Sequence, residues 1–330
     1  MKGGDPVVSI IKAALRWVMF SSPVFRLLVK VFKVVAVTGK GSSLCMENGF
    51  LPVRVDFHSP IPDIADLEMR GVWESRTEMK GIDFKEDGQR ELLSLLGKNY
   101  SAECRWPLSP TDDPFEFYVE NVSFSFGCAA STHCIIRHFK PKTVIEIGSG
   151  MSSRVITKAI GLNRLKEDHT VRHVIVDPYP SEGIIRSENK ERELVKNRAE
   201  CLPAQWFDQL QSNDILFIDS GHCVRIGGDV NYLFLEVLPR LRPGVIVHVH
   251  DIGLPYEYPK VYATNESFRQ FWTEQYLLQA FLSCNTDFAV LLAMNYLMKD
   301  HLAFFKESFP DYDPRIHRLS SSSFWMRRRR

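Results

Sequence analysis

Two groups of residues in this sequence are of types that could bind a ligand or carry out chemistry. The first is a carboxylate followed by glycines, in a stretch that reads T-V-I-E-I-G-S-G-M-S-S-R-V-I-T. Glu146 lies inside an apolar run, and Gly148 and Gly150 follow it. Glycines let a backbone approach a ligand closely, and a helix that begins here would offer unpaired N–H groups. The stretch therefore predicts the first strand–turn–helix unit of a ligand-binding α/β sheet.

The second group consists of titratable residues that end two later apolar runs. D-I-L-F-I-D ends at Asp219 and is followed by His222, and V-I-V-H-V-H ends at His250 and is followed by Asp251. The carboxyl ends of parallel strands meet at one edge of a sheet, so we expect the four side chains to converge there. One such histidine would more often be structural, but two adjacent strands that end alike favour a functional cluster.

Several predicted elements position these residues. A buried strand over 144–147 precedes a helix that Ser152 or Ser153 caps and that runs to Gly161. A second strand over 174–176 ends at Asp177, whose carboxylate can accept two hydrogen bonds from a ribose diol. A third strand is expected to end near Glu200 and Cys201, a usual place for adenine contacts.

The remaining pattern predicts further helices and strands. Helices are expected over 83–96, 128–139, 186–198, 203–210, 228–241 and 267–283. Strands are expected over 214–219 and 245–250, and a closing antiparallel pair over 288–294 and 323–326. The aromatic segment 115–126 reads as extended chain, and the loop 253–259 as one that closes over substrate.

Composition sets broader limits. The chain has 330 residues, a formal charge of +1 and 45% apolar residues, which is ordinary for a globular protein and gives no sign of nucleic acid as a partner. The seven cysteines contain no C-x-x-C pair and are odd in number. This indicates free thiols in a reducing, cytoplasmic compartment.

The first forty residues are apolar with regularly placed cations, and no acidic residue occurs between Asp5 and Glu47. Their longest uncharged run, Trp17 to Phe25, is too short to span a bilayer. Two interpretations stay open. The segment 7–37 forms basic amphipathic helices on an anionic, inner membrane surface, or a helical hairpin packed on the core or in a homo-oligomer interface. We expect a helical segment over 1–40, a cap and linker over 41–114, and a ligand-binding domain over 115–330.

The motifs in order resemble a known family. A dinucleotide fingerprint needs a third glycine where Ser153 stands, whereas E-x-G-x-G resembles motif I of the class I S-adenosylmethionine-dependent methyltransferases. With D-P-Y-P, N-D-I-L-F-I-D-S-G-H, H-V-H-D-I and F-W-T-E-Q-Y-L-L-Q-A-F, the region 117–326 resembles a bacterial branch related to methyltransferase family 24. Gly127 and Cys128 depart from the Asp-Ala of the family pattern.

The resemblance implies an α/β fold, a Rossmann-like seven-stranded sheet whose last strand is antiparallel, and S-adenosylmethionine as cofactor. The expected cofactor-binding residues are Glu146, Gly148, Ser149, Gly150, Ser152, Asp177 and Asp219. Related sugar O-methyltransferases hold a divalent metal with acids at the ends of the fourth and fifth strands. The matching positions here are Asp219, His250 and Asp251, for Mg or Mn.

The predicted reaction is methyl transfer to a hydroxyl of a sugar, glycan precursor or secondary metabolite. His222 and His250 are the candidate bases, and Asp219 would orient an imidazole or hold an ion. One alternative is a non-catalytic S-adenosylmethionine-binding or scaffold protein in a biosynthetic or membrane-associated assembly. Another is a nicotinamide oxidoreductase, against which the missing third glycine counts.

Overall fold

The computed structural model describes residue 20 and residues 22–186, 192–317 and 321–329. The chain divides into two units, Met1–Arg70 and Gly71–Arg330. The predicted boundaries at residues 40 and 114 stay predictions. Within the residues so described, no helix is both long and apolar enough to cross a membrane.

The first unit contains three described helices. They are α1 (Pro23–Thr38), α2 (Ser42–Glu47) and α3 (Ile64–Met69). Ser22 is the N-cap of helix α1, and its side chain accepts a hydrogen bond from the Phe25 N–H. Gly39, in the left-handed conformation, is the C-cap. The part of the predicted N-terminal helices that falls on residues 7–19 lies outside the described residues.

The second unit alternates helices and strands. It opens with α4 (Glu86–Tyr100) and α5 (Phe126–Phe139), followed by β1 (Thr143–Ile147), α6 (Met151–Glu167), β2 (Arg172–Val176), α7 (Glu182–Arg186) and β3 (Arg192–Val195). Then come β4 (Ile215–Ile218), α8 (Asp229–Tyr232), β5 (Ile246–Val249), α9 (Lys260–Thr264) and α10 (Glu274–Leu282). It closes with β6 (Phe288–Ala293), α11 (Met294–Asp300), α12 (Leu302–Ser308) and β7 (Phe324–Arg328).

The seven strands form one sheet in the order β3-β2-β1-β4-β5-β7-β6. The first five are parallel, and β7 lies antiparallel between β5 and β6. Both expectations from the resemblance, seven strands and an antiparallel last strand, are confirmed. The fold is the Rossmann-like α/β fold that the resemblance implies.

The carboxyl ends of β1, β4 and β5 are adjacent because these strands are neighbours in the sheet. All four residues of β4 and all four of β5 are buried, as the continuous apolar runs predicted. The chain reverses strand order between β1 and β4, and such a reversal is where open α/β sheets bind ligands.

An ion-pair network joins the helices behind the sheet. Glu103 accepts hydrogen bonds from His133 Nε2 at 2.9 Å, Arg137 Nε at 2.8 Å and Lys166 Nζ at 2.7 Å. Burial raises the pKa of Glu103, but these three donors outweigh burial and hold the pKa well below its ordinary value of 4.5. The network connects the short 3₁₀ turn Ser101–Glu103 to α5 and α6.

Four element predictions are wrong. The charged helix over 186–198 is instead, where described, a strand (β3) after the short α7. β3 is an edge strand, and its charged Arg192 and Glu193 give no apolar alternation that would distinguish it from a helix. The expected third-strand end at Glu200 and Cys201 is a 3₁₀ turn, four or more residues beyond β3.

The other two errors concern helix starts. α6 begins after Gly150, so neither Ser152 nor Ser153 is its N-cap. The helix expected over 267–283 begins only at Glu274. Segment 115–126 contains no strand, and residues 229–240 form one helical run that passes through a π turn, Leu233–Val237.

Candidate active site

The glycine loop after β1 is held between two neighbouring strand ends. The Gly148 N–H donates to Val176 O of β2 at 2.9 Å, and the Asp219 N–H donates to Ile147 O at 3.0 Å. Gly148 has φ +85°, and a Cβ built on it would lie 2.1 Å from Asp219 O. Only glycine fits this conformation and this close approach.

Glu146 anchors the loop from beneath. Its side chain is fully buried, and Oε1 accepts hydrogen bonds from Ser152 Oγ at 2.7 Å and Ser153 Oγ at 3.0 Å. Oε2 lies 2.8 Å from His173 Nε2 on β2. The serine in place of a third glycine is therefore a partner of Glu146, and these bonds fix the first turn of α6 against the sheet. The predicted contact of Glu146 with a cofactor stays a prediction.

Asp177 lies at the end of β2, on the other side of the loop. It accepts hydrogen bonds from the Ser149 hydroxyl and from the Tyr179 N–H, the latter at 2.7 Å. A Cβ built on Gly150 would meet no heavy atom within 4 Å. The loop therefore borders open space, with the hydroxyl of Ser149 and the carboxylate of Asp177 nearby. The ribose role of Asp177 and the cofactor roles of Ser149, Gly150 and Ser152 stay predictions.

Three of the predicted rim residues meet around one imidazole. His222 Nε2 lies 3.4 Å from Asp219 Oδ1 and 3.5 Å from Asp251 Oδ2. One ligand atom from each of the three residues lies within 4.8 Å of the others. His222 has φ +56° and Asp251 has φ +54°, so both turns after β4 and β5 are tight. We call Asp219, His222 and Asp251 the rim triad.

A third carboxylate holds the opposite side of the His222 ring. Glu274, at the start of α10, is fully buried, and its Oε2 lies 2.8 Å from His222 Nδ1. Its Oε1 has no hydrogen-bond partner among the described residues. Trp272 lies tilted against the ring, with centroids 4.4 Å apart. Glu274 fixes the ring so that Nε2 faces the two aspartates.

Asp219 and His222 each stabilise the charged form of the other. Burial lowers the pKa of His222, but hydrogen bonds with Asp219 and Glu274 outweigh it and raise the pKa well above the ordinary value of 6.5. Burial raises the pKa of Asp219, but the charges of His250 and His222 lower it to about 2. At neutral pH His222 is therefore an imidazolium paired with the carboxylate of Asp219.

His250 lies close to the triad but faces inward. It is 2% exposed, and its Nε2 lies 3.3 Å from Ser123 O and 3.6 Å from Asp251 Oδ1. Burial lowers its pKa, but the charges of Asp251 and Asp219 raise it to about 9. His250 is thus also charged at neutral pH, as a buried counter-ion beneath the carboxylates.

His248 is structural. It is fully buried, lies 2.9 Å from Ser323 Oγ through Nε2 and stacks on Phe217 with ring centroids 3.8 Å apart. Burial lowers its pKa well below 6.5, so it is neutral.

Asp251 has a second support that reaches back to α5. The Ser322 hydroxyl donates to Asp251 Oδ1 at 2.9 Å, and the Ser322 N–H donates to Cys128 Sγ at 3.3 Å. A Cβ on Gly127 would lie 2.6 Å from Met298 Sδ, so glycine is needed for this helix to approach α11. The Gly127–Cys128 departure from the family pattern thus places a thiol where it supports Asp251 through Ser322.

The structure brings together all four residues expected at the rim and adds two that sequence reasoning missed, Glu274 and Ser322. Glu274 lies in the motif F-W-T-E-Q-Y-L-L-Q-A-F, where a carboxylate among aromatic residues was the available signal. Ser322 carries no local signal, since its contact depends on the position of β7.

The side chains of the rim triad could hold a metal ion only after His222 has lost its Nε2 proton. Two carboxylates and an imidazole are a donor set used for Mg, Mn and softer metals. The rim triad contains His222, whereas the metal site predicted from the sequence contains His250 in its place. His250 Nε2 is instead near a backbone oxygen.

Comparison with known proteins assigns a class to this region. Residues 145–252 match the family model described as a methyltransferase domain. The matched stretch runs from β1 to just beyond Asp251, so it contains the glycine loop and the rim triad. The match supports a methyltransferase domain at this site.

Particular proteins resemble longer parts of the chain. An uncharacterized protein from Archaeoglobus fulgidus is 28% identical over 185 residues, which is 53% of this chain and 81% of that protein. An SAH-bound methyltransferase from Podospora anserina is 15% identical with a TM-score of 0.34, covering 85% of this chain and all of that one. A Thermobifida fusca protein, assigned only provisionally as a methyltransferase, is 12% identical with a TM-score of 0.37, covering 77% and 97% of the two chains.

Proposed function

We propose that this protein is an S-adenosylmethionine-dependent methyltransferase that acts on a hydroxyl group of a sugar, glycan precursor or other small metabolite. One observation carries the proposal: Asp219 belongs to both halves of the site. Its backbone carbonyl contacts Gly148 of the glycine loop, and its carboxylate faces His222. A methyl donor on the loop would therefore lie beside the group that handles the acceptor's proton.

The geometry of the loop supports the proposed cofactor roles of its residues. Gly148 and Gly150 let the backbone approach the ligand, and α6, a helix of 17 residues, directs its N-terminal N–H groups at the same place. Asp177 would accept hydrogen bonds from the ribose hydroxyls in place of its present bond from Ser149. When bound, S-adenosylmethionine supplies an electrophilic methyl group, so the protein must align the acceptor and remove its proton.

The acceptor's proton would pass to the rim triad. A hydroxyl is too weak an acid to ionise alone at neutral pH, and His222 is held in its charged form by Asp219 and Glu274. His222 Nε2 must therefore lose its proton before it acts as a base. The carboxylates of Asp219 and Asp251 orient the acceptor hydroxyl, while Glu274 keeps Nε2 directed at it. If a divalent cation were bound by the triad instead, His222 Nε2 would be one of its ligands and not a base, and the cation would supply Lewis-acid activation of the hydroxyl.

The test is acceptor-dependent transfer of a labelled methyl group. The full chain is incubated with methyl-labelled S-adenosylmethionine and panels of sugars, polyols, phenols and amines, with and without Mn²⁺, and products are identified by mass spectrometry. Label on a hydroxyl oxygen, lost in His222→Gln, is the expected result. Label on nitrogen alone would contradict the hydroxyl part of the proposal.

The second candidate function is an S-adenosylmethionine-binding protein without turnover. One observation favours it: both imidazoles at the rim are charged at neutral pH, so neither is ready to accept a proton. This candidate predicts tight binding of S-adenosylhomocysteine and no transfer to any acceptor at any pH from 6 to 10, a range that extends beyond the pKa of about 9 of His250.

A further inference from the structure

Helix α1 has no buried residue on any face. Its 16 residues include Val24, Leu27 and Val34, whose exposed fractions are 67%, 63% and 57%. Most helices in proteins are stabilised by packing an apolar face against the rest of the fold. This helix has an apolar surface that the described part of its own unit leaves uncovered.

The cations of α1 lie on one narrow face. With 3.6 residues per turn, Arg26, Lys30 and Lys33 fall within an arc of about 60°. None of the three forms an ion pair with a described residue, and α1 contains no acidic residue. The exposed Leu27 and Val34 lie next to one edge of this arc, and Val24 and Val31 continue the apolar face away from it.

The apolar exposure continues beyond α1. Within the same unit the side chains of Leu44, Met46, Phe50, Leu51, Val53, Val55 and Phe57 are exposed. The sequence before α1 adds Lys12 and Arg16 and no acid after Asp5. Cations next to a broad apolar surface are the pattern of a segment that lies in a lipid interface.

We propose that α1 lies on an anionic lipid bilayer, with its apolar face in the headgroup–acyl boundary and Arg26, Lys30 and Lys33 at the lipid phosphates. At about 1.5 Å per residue the helix is about 24 Å long, shorter than the roughly 30 Å hydrocarbon core, so it lies on the membrane and does not cross it. A protein groove would need acids opposite the cations, whereas a bilayer supplies both the negative surface and the apolar interior. The inference is independent of the proposed enzymatic function.

The experiment is flotation of the full chain with vesicles of phosphatidylcholine alone and of phosphatidylcholine with phosphatidylglycerol. We expect co-flotation with the anionic vesicles, weakened by salt, and little with the neutral ones. Each cation near the surface is worth roughly a fivefold change in partitioning. The triple variant Arg26→Gln/Lys30→Gln/Lys33→Gln should therefore bind the anionic vesicles about a hundredfold less.

A matched control removes the same charge from the other unit. Lys98→Gln/Lys196→Gln/Lys306→Gln changes three exposed lysines outside α1 and should bind within about twofold of the wild type. A second variant, Leu27→Gln/Val31→Gln/Val34→Gln, alters only exposed apolar residues, so it should fold normally and lose at least about tenfold in binding.

Three results would overturn the proposal. They are absence of flotation with anionic vesicles, equal loss in the α1 and control charge variants, and a change of oligomeric state in the apolar variant without lipid. The last result, measured by analytical ultracentrifugation, would assign this face to a second copy of the chain.

Discussion

Replacing Gly150 by alanine separates cofactor binding from folding. A Cβ at this position meets no heavy atom within 4 Å, so the free energy of unfolding should change by about 1 kcal/mol or less. The added methyl group would occupy the open space that the cofactor is proposed to fill. Excluding a ligand atom in this way costs about 1 to 3 kcal/mol, which is roughly a 5- to 150-fold loss of affinity.

Two other glycines serve as controls. Gly148→Ala places its Cβ 2.1 Å from Asp219 O at φ +85°, so we expect a loss of about 2 to 5 kcal/mol of stability as well as of binding. Gly161→Ala lies inside α6 with no heavy atom within 4 Å, and should add about 0.5 to 1 kcal/mol of stability without changing affinity.

The assay combines urea unfolding with isothermal titration by S-adenosylhomocysteine. The account predicts that Gly150→Ala unfolds like the wild type but binds at least about fivefold more weakly. If Gly150→Ala binds S-adenosylhomocysteine as tightly as Gly161→Ala does, the ligand does not lie against the loop and the reasoning is refuted.

Three further predictions test the surroundings of the site. Glu274→Gln removes the negative partner of Nδ1, so the pKa of His222 should fall, as an NMR titration would show; an unchanged pKa would contradict the role given to Glu274. Mn²⁺ binding, followed by calorimetry and electron paramagnetic resonance, should be lost in His222→Gln and kept in His250→Gln, and the reverse pattern would support the set with His250. Glu103→Gln should cost about 2 to 4 kcal/mol at pH 7. Because the folded-state pKa of Glu103 is lowered, this difference should shrink as the pH falls below about 4.5, and a pH-independent difference in urea unfolding would count against the network.

Much of the architecture around the site could be predicted from local sequence. The central strands β1, β4 and β5 are short apolar runs, and a run buried on both faces has few alternative interpretations. An acid follows β4 and a histidine follows β5 directly. The convergence of Asp219 and Asp251 then follows from parallel order alone, because neighbouring parallel strands end at the same edge.

Other features depend on contacts between distant parts of the chain. β3 is an edge strand with exposed charged residues, so its sequence resembles a surface helix. Glu274 contacts His222 across 52 positions of sequence, and Ser322 contacts Asp251 across 71, so neither role is visible in a local motif. Ser153 is a further example. The sequence motif presents it as a missing glycine or as a helix cap, whereas in the structure it donates a hydrogen bond to the buried Glu146.

The proposed ligand of the glycine loop and Asp177 is S-adenosylmethionine. Isothermal titration of the wild-type chain with S-adenosylhomocysteine and, separately, with NADH distinguishes it from a dinucleotide. We expect micromolar binding of S-adenosylhomocysteine, weakened in Asp177→Asn, and no binding of NADH. Binding of NADH alone, or of neither ligand, would contradict it.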